Sequence, residues 1–268
     1  MEYSVLITII SLSVIFIATT LGSSFVFFFR KQLTPKIKCI ILGFAGGIMI
    51  SAAIFGLINP SVEEATSNSI YNGWSFVPPI VGFAVGGLML YGLDKLVPHF
   101  HKVQNMEEGL KNETMSKNLK FFLAVTLHNI PEGLSVGFAC GLAIALKGDA
   151  SIVAATSALS LAIGIAIQNV PEGAAVSIPM YGDGMSRGKS FLFGSASGIV
   201  EPLFGLLAVF LAQFSIITAW LLAFAAGAMF YVTLDEVLPD SRETGFTHLT
   251  MWSFMIGFLI MMGLEIVL

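Results

Sequence analysis

The sequence predicts an all-α membrane protein, a polytopic bundle of eight transmembrane helices in a 3+2+3 inverted-repeat arrangement. Three observations predict it. The chain is 56% hydrophobic and only 11% charged, where soluble domains carry about 25% charged residues. Eight apolar stretches of spanning length alternate with short polar connections. Distant segments also repeat one another. Gly43-Phe44-Ala45-Gly46-Gly47-Ile48-Met49 matches Ala223-Phe224-Ala225-Ala226-Gly227-Ala228-Met229, and Tyr91-Gly92-Leu93-Asp94 matches Met262-Gly263-Leu264-Glu265. Matched helices are five apart in the order, an odd step, so the two sets of three run in opposite senses, as in many secondary transporters.

The 268 residues are accounted for by one domain, 1–268, with helices at about 4–29, 37–58, 76–97, 119–146, 151–181, 189–213, 216–238 and 248–268. The first stretch lacks a basic leading region and is too long for a signal-peptide core, so it reads as a retained span. The longest connection, about 98–118, is polar and mixed in charge. Basic residues orient the chain. Arg30, Lys31, Lys36, Lys38, Lys95, Lys102, Lys111, Lys117, Lys120, Arg187, Lys189 and Arg242 fall at one end, and Lys147 alone falls at the other. The positive-inside rule makes the basic end, with the 98–118 loop, cytoplasmic and puts both termini outside. The expected location is the plasma (inner) membrane. Cys39 and Cys140 fall in or beside different spans and are expected to be free.

Two related hexapeptides interrupt the apolar pattern: His128-Asn129-Ile130-Pro131-Glu132-Gly133 and Gln168-Asn169-Val170-Pro171-Glu172-Gly173. Residues four apart share a helix face, so His128 points with Glu132 and Gln168 with Glu172. Pro131 and Pro171 each remove a donor from the carbonyl four residues earlier, at Leu127 and Ile167. A third carboxylate, Glu201, precedes Pro202 in the sixth helix. Ionisable groups at membrane depth are costly and mark functional sites. With no Lys or Arg at that depth, these carboxylates must be protonated or bound to cations. Carboxylates, one imidazole and the amides of Asn129, Gln168 and Asn169 suit borderline divalent ions such as Zn²⁺, Fe²⁺ or Mn²⁺ better than Cu⁺. Carboxylates that bridge leave room for two adjacent ions. Met49 is a weaker candidate, since core packing explains it better than metal contact does.

At these residues the chain resembles the ZIP (Zrt/Irt-like) metal transporters over essentially its whole length, most nearly the prokaryotic GufA-like branch. The resemblance implies a first metal position of His128, Glu132, Gln168 and Glu172, with Met49 contributing. It implies a second, of Asn129, Asn169 and Glu201, that shares Glu132 and Glu172 as bridges. Some relatives carry Asp where this chain has Asn169, which weakens the second position. A homodimer in the lipid bilayer and an elevator-like motion of helices 1, 4, 5 and 6 against the other four are also implied. Asp235-Glu236, with Asp94 and His99, would form an exit station for the ion.

The expected function is import of a divalent metal, zinc foremost and also Fe²⁺, Mn²⁺ or Cd²⁺, by alternating access. The ion is cargo, no cofactor is expected, and no nucleic-acid partner is expected. A selective channel with the same site is the alternative. An intramembrane metalloenzyme is disfavoured because the chain lacks a His-Glu-x-x-His pair.

Overall fold

The computed structural model describes residues 2–28, 34–96, 99–101, 106–108, 116–212, 214–242 and 245–267. Eight helical passes emerge: α1 (Glu2–Phe27), α2 (Pro35–Ser67), α3 (Val77–Leu96), α4 (Lys117–Ala145), α5 (Asp149–Gly182), α6 (Arg187–Leu211), α7 (215–242) and α8 (Thr247–Val267). Seven of them are long and apolar enough to cross a bilayer. The other, α4, has 29 residues, ample length, but the polar residues of its motif dilute its hydropathy. Large apolar side chains such as Ile17, Leu88, Leu206 and Trp252 are exposed on the outside, as a hydrocarbon solvent requires. The core gathers around Ile48, Leu161, Ile165, Leu222, Met229 and Met261.

Local chemistry sets the helix ends. Thr34 caps α2, its hydroxyl accepting from Ile37 N at 3.4 Å, with Pro35 in the first turn. Ser116 and Ser186 cap α4 and α6 in the same way. The tight α4–α5 connection turns at Gly148, whose φ of +60° suits a residue without Cβ.

Several features depart from the sequence expectation. The second helix continues to Ser67, nine residues beyond 58, and the seventh continues to Arg242. Each first widens into a π-helix, over Ala52–Ile58 in α2 and Thr233–Val237 in α7. The wider turns sit just before Pro60 and Pro239, where the α-ladder would need a donor that proline lacks, so each helix resumes instead of ending. Pro131 and Pro171 do not break their helices either, because α4 and α5 run through them. The interruption falls in α6, at Gly198–Ile199, four residues before Pro202, where Glu201 N bonds Gly198 O over three residues. Part of the 98–118 connection forms a two-stranded antiparallel ribbon, β1 (His99–His101) with β2 (Met106–Glu108), that pairs His99 with Glu108. β1 packs on α4. Lys120, counted with the basic end, is buried near the start of α4.

Helix pairing reveals the repeat. The closest pairs are α1 with α5, α4 with α6, α2 with α8, and α3 with α7. Exchanging 1–2–3 with 6–7–8 and 4 with 5 maps the first pair onto the second and the third onto the fourth. The crossings match in detail. In α2–α8, Gly47 lies on the Phe254 carbonyl and Gly257 on that of Phe44. In α3–α7, Gly227 lies on the Phe83 carbonyl and Gly86 on that of Phe224. A Cβ at any of the four would overlap the facing carbonyl oxygen, which is how small residues let helices pack in lipid. The two π-helices also coincide under the 180-residue offset that relates Gly43 to Ala223.

Gly86→Ala is therefore expected to destabilise the protein by about 1–3 kcal/mol through overpacking. Gly92→Ala on the same helix meets open space and should stabilise slightly, by up to about 1 kcal/mol. Thermal unfolding in detergent checks both. Equal melting temperatures for the two variants would contradict the crossing geometry.

Candidate metal centre

The polar residues of α4, α5 and α6 meet in the interior, with α1 completing the wall. Glu201 is fully buried, in the first turn after the break in α6. Thr19 on α1 donates its hydroxyl to Glu201 Oε1 at 3.0 Å. Asn129 Nδ2 on α4 donates to the same oxygen at 3.2 Å and to the Ser197 carbonyl at 3.0 Å. Asn169 Nδ2 on α5 donates to Glu201 Oε2 at 2.8 Å and to the Ile15 carbonyl at 3.3 Å. Asn129 and Asn169 are fully buried.

Glu132, on the next turn of α4, accepts a short hydrogen bond at Oε1 from the Gln168 amide of α5. Glu172 lies near His128 and against the Asn129 side chain. Glu132, Glu172 and Glu201 are near enough for their charges to act on one another. The His128 ring places Nδ1 2.7 Å from the Ala124 carbonyl. That contact holds a proton on Nδ1 and leaves the lone pair on Nε2, the usual way a ligating imidazole is oriented.

Five oxygens remain: Asn129 Oδ1, Glu132 Oε2, Gln168 Oε1, Asn169 Oδ1 and Glu172 Oε1. All are buried and accept no hydrogen bond. A buried polar atom left without any partner costs about 1–3 kcal/mol, so these oxygens call for a ligand that satisfies them. Amide and ionised carboxylate oxygens of this kind are the donors that a divalent cation takes. Among the described residues no three His, Cys, Asp or Glu side chains converge closely enough to hold a metal alone. The amide oxygens of Asn129, Gln168 and Asn169 stand beside the carboxylates as further oxygen donors.

The glycines of the two motifs make this convergence possible. A Cβ at Gly173 would overlap the Thr19 carbonyl, and one at Gly133 the Glu201 carbonyl. These are equivalent crossings, α5 on α1 and α4 on α6.

Thr19 is the residue that sequence reading missed. The signal was present, because Ser4, Thr8, Ser11, Thr19 and Ser23 are the buried polar residues of α1 and recur at helical spacing along one face. Met49 lies in the apolar core, its sulfur 3.6 Å from the Thr233 hydroxyl at the π-helix of α7. Of the exit residues, Asp94 is buried at the end of α3 and accepts from Tyr231 of α7 at 3.5 Å. Asp235 is exposed one turn further along α7. Position 236 lies in the π-helix and position 99 in β1, but the side chains of Glu236 and His99 lie outside the described residues.

A multi-pass helix bundle with an inverted repeat and a buried, acceptor-rich centre at the repeat interface defines a membrane transporter. The chain belongs to the ZIP family: the family model described as ZIP Zinc transporter matches residues 5–120 and 113–265. It is similar to the human protein named Zinc transporter ZIP11, with 32% identity covering 92% of this chain and 93% of the relative. It is similar also to Zinc transporter GufA of Myxococcus xanthus, with 33% identity over 87% of this chain and 90% of the relative. Zinc transporter ZupT of Chlorobaculum parvum shares 32% identity over 91% of each chain. These relatives are named as transporters, and the chain is a transporter rather than an enzyme.

A cation bound at this centre stabilises the folded protein by mass action, by about 2.7 kcal/mol at a hundredfold excess over Kd. Zinc should thus raise the melting temperature of the wild type and raise it much less in Gln168→Ala, which deletes one orphan oxygen and the donor to Glu132. Differential scanning fluorimetry with and without a chelator measures this. An identical zinc shift in the variant would remove Gln168 from the centre.

Proposed function

We propose that this protein imports zinc into the cytoplasm, binding the ion among His128, Glu132, Gln168 and Glu172 and releasing it by alternating access. The observation that carries the reading is the set of five buried oxygens without hydrogen-bond partners. They lie on the two motif helices, α4 and α5, at the centre of the inverted repeat. The printed names of the relatives add zinc as the first cargo to test, with Fe²⁺, Mn²⁺ and Cd²⁺ as competitors of similar ligand preference.

The helix pairing supports a moving group of α1, α4, α5 and α6 against α2, α3, α7 and α8. The crossings of glycine on a facing backbone carbonyl lie within each group, while between the groups Gly164 of α5 meets the Met261 side chain of α8. The donor set lies wholly in the first group, apart from Met49. In this reading the first group carries the ion past the second as a unit. The basic end faces the cytoplasm, so both termini lie outside. Asp94 and Asp235 stand at the cytoplasmic end, where the ion leaves. The protein works in the plasma (inner) membrane, as a homodimer embedded in lipid.

Zinc uptake into proteoliposomes tests the reading. Wild type should show saturable uptake, Glu132→Ala and Glu172→Ala should lose it by at least about tenfold, and Glu63→Ala, an exposed residue at the end of α2, should not. Uptake retained in both motif variants would sink the site. Uptake that never saturates and barely changes with temperature would replace the carrier with a channel.

Acid should also weaken uptake. The ligands bind metal as neutral imidazole and ionised carboxylate, so protons compete with zinc, and the half-saturating zinc concentration should rise between about pH 7.5 and pH 5.5. A half-saturating concentration that is constant over this range would argue against ligation by His128 and the carboxylates.

A further inference from the structure

We propose that Glu201 is a positioning residue and that the centre holds a single ion, in place of the two-ion centre that the family resemblance implies. The inference rests on the transport reading above and refines its site. The Asn129 amide group donates to Ser197 O at 3.0 Å and to Glu201 Oε1 at 3.2 Å, with Glu172 also against it. Both hydrogens of the Asn169 amide are committed, to Ile15 O at 3.3 Å and Glu201 Oε2 at 2.8 Å. Each NH₂ is therefore fixed between a backbone carbonyl and a Glu201 oxygen. Neither amide can turn over without setting its carbonyl against two acceptors.

Only the carbonyl oxygens are left for a ligand, and Asn129 Oδ1 and Asn169 Oδ1 are among the buried atoms without partners. The single hydroxyl hydrogen of Thr19 lies between Glu201 Oε1 at 3.0 Å and its own helix's Ile15 O at 3.2 Å, and the carboxylate is the nearer acceptor, which makes Thr19 a third donor to Glu201. With three donors on its two oxygens, Glu201 is satisfied by the protein, whereas Glu132 Oε2 and Glu172 Oε1 are not. The carboxylate therefore orients two neutral oxygen donors, the role that groups behind metal ligands commonly play.

The inverted repeat shows how this arrangement is built. Thr19 and Ile15 on α1 stand to Asn169 and Gly173 of α5 as Glu201 and Ser197 on α6 stand to Asn129 and Gly133 of α4. One copy carries a carboxylate at this position, and the other carries a hydroxyl that donates to it. A second ion beside Glu201 would have to displace these donors. Asp in place of Asn169 would remove two of the hydrogens and add a second carboxylate beside Glu201, which creates room and charge for a further cation.

Zinc stoichiometry on the purified full-length protein tests this. The ions at the centre are counted by elemental analysis after metal-free gel filtration, as the zinc lost on going from wild type to Glu132→Ala/Glu172→Ala. Affinity is read by competition with a chromophoric chelator. The expected count is one per chain in wild type, and one per chain in Glu201→Gln with affinity about 10–100-fold weaker. Glutamine offers one acceptor instead of two and forces one asparagine to turn its carbonyl away.

Asn169→Asp should raise the count to two, a gain that general destabilisation does not produce, and this variant decides the matter if Glu201→Gln fails to fold. Two ions in wild type with one remaining in Glu201→Gln would make Glu201 a ligand and overturn the inference while leaving the transport reading intact. Unchanged affinity in Glu201→Gln, or a single ion in Asn169→Asp, would overturn it too. No zinc difference between wild type and the double variant would overturn the transport reading and this inference together.

Discussion

Backbone contact between helices is the constraint from which the centre follows. Gly133 and Gly173 bring α4 onto α6 and α5 onto α1 so closely that a methyl group would collide with a carbonyl. At that separation Asn129 reaches the Ser197 carbonyl and Asn169 that of Ile15. Those two bonds, together with the Glu201 carboxylate, fix the amide planes. A wider crossing would leave each asparagine bonded to its own helix or to water. The motif glycines therefore shape the chemistry as directly as the side chains that bear it.

Symmetry distributes stability and function differently over the two halves of the bundle. The α2–α8 and α3–α7 pairs repeat the same glycine-on-phenylalanine crossing, and α2 and α7 each absorb a proline through a π-helix. The α1–α5 and α4–α6 pairs repeat the backbone contacts but not the polar side chains. His128 faces Gln168 in the sequence alignment of the two motifs, and Glu201 answers Thr19. Near-identical halves would offer an ion two equal sites across the axis. The differences at these two pairs leave unequal surroundings on its two sides.

Much of this was legible in the sequence. The number of passes, their order and the opposed repeats followed from apolar length, basic-residue placement and matched segments, because lipid permits few alternatives to helix. The polar hexapeptides located the centre for the same reason, since a carboxylate in hydrocarbon needs a cause. The π-helices were not legible, because proline usually signals an end and only tertiary contact tells a widened turn from a stop. The ribbon pairing His99 with Glu108 arises from residues that carry no clear alternation. Thr19 was passed over because a lone threonine is unremarkable in a membrane helix. Its role depends on which carboxylate stands opposite, and that is set by a partner 182 positions away.

The polar motif of α4 makes it the least hydrophobic of the eight passes, and this bears on how the chain is made. A charged residue at the centre of a nascent span costs about 2.5–3.5 kcal/mol on insertion. The α4 helix carries Glu132 with His128 and Asn129 beside it, and has little surplus apolar surface to offset them. It is joined to α5 by a tight turn at Gly148, and α5 is 34 residues long, about 51 Å of helix. The two enter the bilayer most favourably as a hairpin, polar faces against each other, with α5 supplying the hydrophobicity that α4 lacks. Insertion as such a hairpin would bring the two polar motifs into the membrane together.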